Sequence, residues 1–400
     1  MHRSIVPVVA LILAATIAPA FAVESCELNG EHVNPSNGNT TTGKSGLMRC
    51  RDGEGGPVVR EQELRAGVFT GSVRYFQGGQ LEKEYRVNER GNRDGLAREY
   101  ARGEGGAKPV LVREETYRDG RTVGLVRSWY PSGQLRRVSF HGDEDREQAS
   151  AEFTADGKLA ELHCAPRAVL GPDADDARWC GHVGGASNVV LYAGKGVAKA
   201  RVSYERGEQR KSELLAEGGA VREAREASAT GGVERSFYAD GTKRREVQWV
   251  VDPGERNRRV MTLEQEFHES GKLVHERRWR VAERGLVGEL ALEQRWYLNG
   301  QPKERIEYAA ADGRSLRRET TYHDNGKKAF EGSWRVATPA SRGGDIATGV
   351  HRSWDEAGQL SGERYYDERG RITRERELYG DTVVRDDEVF EDGSRKGLRK

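Results

Sequence analysis

The chain has 400 residues, 65 of them basic and 64 acidic, and its formal charge of +1 gives no global field that would favour nucleic acid or an anionic membrane. Charged residues make up 32% and hydrophobic ones 36%, a balance that suggests disorder when like charges cluster. Here charges of both signs interleave with aromatics, as in Glu293-Gln294-Arg295-Trp296-Tyr297, which fits strands whose outer faces carry cross-strand ion pairs, and fifty glycines with little helical periodicity argue against a helical architecture.

Residues 1–22 read as an export signal: His2 and Arg3, an apolar run over 5–17, then Pro19 and Ala20-Phe21-Ala22 before Val23. No other stretch approaches the roughly 20 apolar residues of a membrane-spanning helix, and Val23-Glu24-Ser25 lacks the pattern of a lipid anchor at Cys26. The expectation is a soluble chain, periplasmic or secreted after signal removal.

Residues 23–66 form an N-terminal disulfide-containing segment. The four cysteines fall into two local pairs, Cys26 with Cys50 and Cys164 with Cys180. Three connectivities are possible, and local pairing is favoured because each pair brackets a stretch poor in apolar residues that an oxidising compartment could staple. Each closure would contribute roughly 3 kcal/mol. A metal site is the competing reading, but no CxxC or His-x-His spacing accompanies the cysteines. Gly38, Gly43, Lys44 and Ser45 match the phosphate-loop pattern G-x-x-x-x-G-K-[ST]. That pattern works only between a buried strand and a helix N-terminus, and neither neighbour is visible, so a flexible loop inside the first disulfide is expected.

From residue 67 a short grammar repeats. An aromatic stands four positions before a glycine at Tyr75/Gly79, Trp129/Gly133, Phe153/Gly157, Phe237/Gly241, Phe267/Gly271, Trp296/Gly300, Tyr322/Gly326 and Trp354/Gly358. β-favouring runs flank each turn, a hairpin signal, and Asp240, Asn299 and Asn325 beside the glycines are residues that accept positive φ at low cost. A second aromatic, at Trp249, Trp279, Tyr308 and Trp334, follows eight residues after its glycine. Counting by strand alternation, the two rings of each hairpin share one face and stack into a ladder. Such a ladder reads first as the core of a thin array, and second as an exposed binding groove. The expected layout is a first hairpin block over 67–164, a disulfide-closed interruption over 165–186 and a second block over 187–400. Within the second block, 190–204 and 214–226 are degenerate, and 211–227 has a helix as its alternative. The variable connections, 251–260, 282–288 and 337–347, are where recognition would sit.

Trp129-Tyr130-Pro131-Ser132-Gly133-Gln134-Leu135, Trp296 through Gln301 and Trp354 through Leu360 resemble the MORN-variant repeat of bacterial proteins, typified by G-x-x-x-x-[WY]-Y-x-N-G-Q-L. The resemblance covers about three-quarters of the mature chain. It implies a string of β-hairpins in an elongated, twisted antiparallel sheet. It also implies membership of a group that includes immunity or antitoxin proteins paired with secreted toxins.

Candidate chemistry is sparse. Histidines stand singly, and His268 and His275 could meet across one turn as a surface pair rather than a metal site. Asp173, Asp175 and Asp176 lack the closing Glu of a calcium loop. No nucleophile elbow is visible, and disulfide-tied cysteines cannot serve as nucleophiles. The expected fold is therefore all-β, an elongated, twisted antiparallel array of β-hairpin repeats. The expected function is exported, non-enzymatic protein binding without cofactor, metal or nucleic acid, most plausibly by a periplasmic immunity or antitoxin-type factor with a secreted toxin as partner. The alternative is an envelope scaffold or cell-wall glycan binder using Trp296 and Trp354 as stacking platforms. The individual binding residues stay unassigned at this level.

Overall fold

The structure is a computed structural model and describes residues 24–103, 105, 107–252, 254, 258–281, 288–311, 314–337 and 344–398. The export signal over 1–22 lies outside the described residues, as do most of the connections over 282–288 and 337–347. No helix among the described residues is long and apolar enough to cross a membrane. The fold is all-β, with two large open antiparallel sheets built of hairpins, and the chain divides into two compact units, 1–157 and 158–400.

In the first unit, Glu24–Leu28 lies between Glu31–Val33 and Gly46–Asp52, and from there each major strand pairs with the next in chain order as far as Glu147–Phe153. The second unit is a seventeen-stranded meander from Val189–Tyr192 to Arg395–Gly397, every strand bonded to its sequence neighbours. The segment over 211–227 is strand as well, Glu208–Leu215 followed by Val221–Ala227. Its alternating Lys, Glu and Arg pair across to both neighbours, which an isolated helix would not provide.

The repeated turn has one geometry. Tyr238 N–H donates to Thr242 O while Gly241 N–H donates to Tyr238 O, and Gly241 sits at φ +88, a left-handed conformation that glycine adopts without a Cβ penalty. The same pair of bonds closes the turns at Gly133, Gly271, Gly300, Gly326, Gly358 and Gly370. Asp240, Asn299 and Asn325 do not take positive φ. They serve the turn through their side chains, which accept from the backbone N–H two residues on, at Thr242, Gln301 and Lys327. Neighbouring turns are tied together: Tyr130, Tyr238 and Tyr297 donate their hydroxyls to the carbonyls of Phe153, Phe267 and Tyr322 in the following hairpin, and the His323 ring meets Trp354 O at 3.0 Å.

From Val221 onward, among the described residues, no second layer covers either face of the meander, since substantial contacts run only between strands close together in the sheet. Glutamates paired with arginines are among its most buried side chains: Glu246, Glu264, Glu276, Glu293, Glu363 and Glu375 are all at most 8% exposed, as are Trp249, Val260 and Ile306. One row of directly opposed residues runs Arg235, Glu246, Gln265, Glu276, Gln294, Arg305, Thr320, Glu331, Arg352, Glu363, Arg376 and Asp386. Alternating charge along such a row makes cross-strand pairs the unit of stability.

Apolar packing concentrates at two places. Cys26, Leu28, Val33, Met48, Cys50 and Leu64 form a buried cluster with Val59 and Phe69 against it, stapled by the Cys26–Cys50 disulfide across directly opposed residues. The second disulfide joins Cys164 to Cys180, and the segment it encloses folds back on the start of the second sheet. Gly207 N–H donates to Cys180 O, Ser187 Oγ donates to Trp179 O, and the Tyr204 hydroxyl donates to Leu162 O. This segment buries Leu170 and Ala174 and caps the meander's first strands, as the terminal element of a repeat array must.

Candidate functional site

The aromatics lie on opposite faces of the second sheet. Trp249 is three residues after Glu246 in Lys243–Val251, and alternation puts the two on opposite sides. Lys243 bonds Glu246 and covers the Phe267 ring, so the turn aromatics share the face of Glu246 while Trp249, Trp279, Tyr308, Trp334 and Tyr366 occupy the other. The expected single-face ladder is therefore corrected. A β-bulge falls at the turn aromatic of each of these hairpins, between Ser236 and Phe237, Glu266 and Phe267, Arg295 and Trp296, Thr321 and Tyr322, and Ser353 and Trp354. One extra residue reverses every later side chain in the return strand.

The rings are buried or half-buried for a local reason, Trp249 being 5% exposed. A Cβ at Gly232 would stand 2.5 Å from Trp249, and one at Gly332 would stand 2.8 Å from both Phe330 and Trp334, so these rings close over strand glycines and cover their exposed backbone. Cations take the remaining surface: Arg225 and Arg259 over Trp249, Arg317 over Trp334, Lys328 over Trp354. Trp354 is thus already stacked within its own sheet, and each such contact contributes roughly 0.5–1 kcal/mol where exposed.

This paving stops over the degenerate units. On the tryptophan face, Ala200, Leu214, Glu223, Ser236 and Arg245 oppose one another in a row, beside Ser212, Arg225 and Glu234. Small residues here leave a depression of about 700 Å³ crossing Ala198–Glu205 to Lys243–Val251. Five strands at about 4.8 Å give it a length near 20 Å. Leu214 is 49% exposed within it. On the opposite face, the hydrogen bond from Lys211, helped by Arg201, holds the Glu213 carboxyl below its ordinary range against partial burial. Arg225 pairs with Glu234 at 3.5 Å, while Glu223 makes no ion pair among the described residues. The trough thus offers an apolar contact, an unpaired carboxylate and several arginines on a rigid floor. Its sequence signal is the loss of the aromatic–glycine spacing between residues 198 and 227, without any motif that names its residues.

The residues singled out by motif have structural work. The loop over 38–45 is held in place: Lys44 pairs with Glu31 at 2.8 Å, Thr41 is buried, Gly67 N–H donates to Lys44 O and Ser45 Oγ accepts from Ala66 N–H. A strand follows it, Gly46–Asp52, where a phosphate loop needs a helix. Asp176 is buried and accepts from the backbone of Val169 and Leu170, and Asp175 caps Asp176–Trp179. His268 bonds Ser270 and His275 bonds Glu293. Glu24, Cys26 and Cys50 crowd within 4.8 Å, but the two sulfurs are joined to each other and offer no thiolate to a metal. Ser139, His141 and Asp145 stand in triad order, with Ser139 Oγ 3.4 Å from His141 Nε2 and His141 Nδ1 3.7 Å from Asp145. Ser139 is 1% exposed, so its hydroxyl is closed to a substrate carbonyl.

No family model matches the chain, and no curated protein matches it. Among solved structures, the chain aligns over 93% of its length with the TcdB2-TccC3-Cdc42 crystal structure at 10% identity and a TM-score of 0.18, spanning 19% of that chain. It aligns over 53% of its length with 91% of a porin-like protein from Bacteroides uniformis, at 10% identity and a TM-score of 0.16.

Proposed function

We propose that the chain is an exported, non-enzymatic protein-binding repeat protein that holds its partner in the trough around Leu214, Ser212 and Ser236. The observation that carries this reading is an open depression, with an exposed leucine in it, where the rings of the tryptophan face stop. An exposed apolar contact rimmed by polar and charged side chains is the layout of a protein-binding patch. The two disulfides suit an oxidising compartment, and the signal-like residues 1–22 supply the route to it. Combined with the repeat resemblance, this leads to a periplasmic immunity or antitoxin-type factor whose partner is a secreted toxin.

The test is affinity capture from the parent organism's envelope fraction and from kin culture supernatant, using the mature chain and two trough variants. Leu214→Asp and Ser212→Trp should each lose the captured protein while melting within a few degrees of the parent. A partner retained by both variants places binding elsewhere. A deletion strain that survives kin toxins as well as the parent removes the immunity role.

A further inference from the structure

The tryptophan face carries a second concavity, independent of the trough. The row of opposed side chains that includes Phe330 dips at Ser353 and Gly362 before Glu377 restores it, leaving a bay of about 430 Å³. Two strand spacings make it about 10 Å wide. A run of rings closes one side: Trp334 lies 4.6 Å from His351 and His351 lies 4.5 Å from Tyr366, centroid to centroid; Arg317 covers Trp334 and His351 is buried, so Tyr366 is the ring left partly open to the bay. Opposite charges line the rest, with Arg364 Nε held 2.8 Å from Glu375 Oε1 and Glu377 alongside.

Gly362 shows that the fold does not require this gap. Its φ is not in the left-handed region, and a Cβ there would find only Arg376 O, at the ordinary contact distance of 3.6 Å. Gly332 differs, because a Cβ would collide with three rings. At Gly332 packing demands glycine, whereas at Gly362 a Cβ has room and a residue other than glycine would suit the strand better.

We propose that the bay binds one pyranose unit of a saccharide. A pyranose presents a C–H face that lies against an aromatic ring, and hydroxyls that each donate and accept. Arg364 supplies donors, Glu375 and Glu377 supply acceptors, and Ser353 supplies both. Arginines balance the two carboxylates, Arg395 pairing with Glu375 at 2.7 Å and Arg385 with Glu377 at 3.4 Å, so an ionised ligand meets no net field of opposite sign, and a wholly apolar ligand would strip water from the Arg364–Glu375 pair without replacing it. The volume falls within the roughly 300–1,000 Å³ of small-ligand sites.

The test is calorimetric titration of the mature chain with chitotetraose and, separately, with cellotetraose. Saturable binding of the N-acetylated sugar alone identifies wall-type glycan as the source, and binding of cellotetraose identifies a neutral glucan; either supports the site. Gly362→Val should lower affinity at least tenfold with an unchanged melting transition, and Tyr366→Ala should do the same by removing the ring wall. Should Tyr366→Ala fail to fold, Gly362→Val decides. Absence of binding to both sugars at millimolar concentration, or Gly362→Val binding as the parent does, overturns the proposal. Neither result bears on capture by the trough.

Discussion

Glu363→Gln tests whether paired carboxylates hold the second sheet together. The Glu363 side chain is 7% exposed and its two oxygens accept from Arg352 Nε, the Tyr365 hydroxyl and Arg376 Nη1. Burial pushes its carboxyl up, and the hydrogen bonds of Arg352, Tyr365 and Arg376 outweigh that, holding it below the ordinary range. Glutamine keeps one acceptor and turns an N–H₂ toward the arginines, losing two of three bonds. Bonds to charged groups contribute about 1.5–3 kcal/mol each. Arg352 is 39% and Arg376 25% exposed, so solvent screening roughly halves the total, to about 2 kcal/mol. The control is Glu391→Gln, whose carboxylate pairs with Arg371 but is 78% exposed and should change stability by under about 0.5 kcal/mol. Repeat arrays can unfold in parts, so the assay is amide hydrogen exchange in Leu360–Tyr366 and its neighbours Ile346–Trp354 and Ile372–Tyr379. Equal protection in the two variants would refute the claim that buried ion pairs carry this sheet.

Acid should loosen the second unit. Burial raises Glu246 and Glu363, but bonds from Gln248, Lys243 and Arg235, and from Arg352, Tyr365 and Arg376, hold both low; Lys328 holds Glu331 low, and Arg364 does so for Glu375. A depressed carboxylate contributes fully above its unfolded value of about 4.3 and loses that contribution as pH falls through the folded value. Melting temperature should therefore be flat from about pH 7 to 5 and drop steadily below; a flat profile to pH 3 contradicts this. Gly232→Ala would set a Cβ 2.4 Å from Glu226 O and 2.5 Å from the Trp249 ring, for an expected loss of about 1–3 kcal/mol by denaturant titration; a neutral result would show that the ring moves freely. Replacing Cys26 and Cys50 together by alanine should cost the N-terminal cluster roughly 2–4 kcal/mol, seen as faster exchange at Leu28 and Met48 with Val247 unchanged. Unaltered exchange at Leu28 would mean that the cluster holds without its staple.

The strand and turn grammar was legible because it is local. Glycine at a left-handed position and β-favouring runs on either side need no distant partner to specify a hairpin, and the cysteine spacing pointed to local pairs for the same reason. The burial of Glu246 and Glu276 was not legible, since a glutamate reads as surface until the register places Arg235 and Gln265 opposite them. The loop over 38–45 looked mobile by composition, and backbone bonds to Gly67 and Ala66, more than 20 residues away along the chain, order it.

By itself the sequence determined that this chain makes antiparallel hairpins, where the aromatic–glycine turns fall, and which units are irregular. Only the tertiary structure decided which face each ring takes, because one bulged residue per hairpin reverses the side-chain alternation and leaves the aromatic–glycine spacing unchanged. It also decided where the surface is open. A depression exists only where several strands place small side chains side by side, and that depends on register between segments rather than on any one of them.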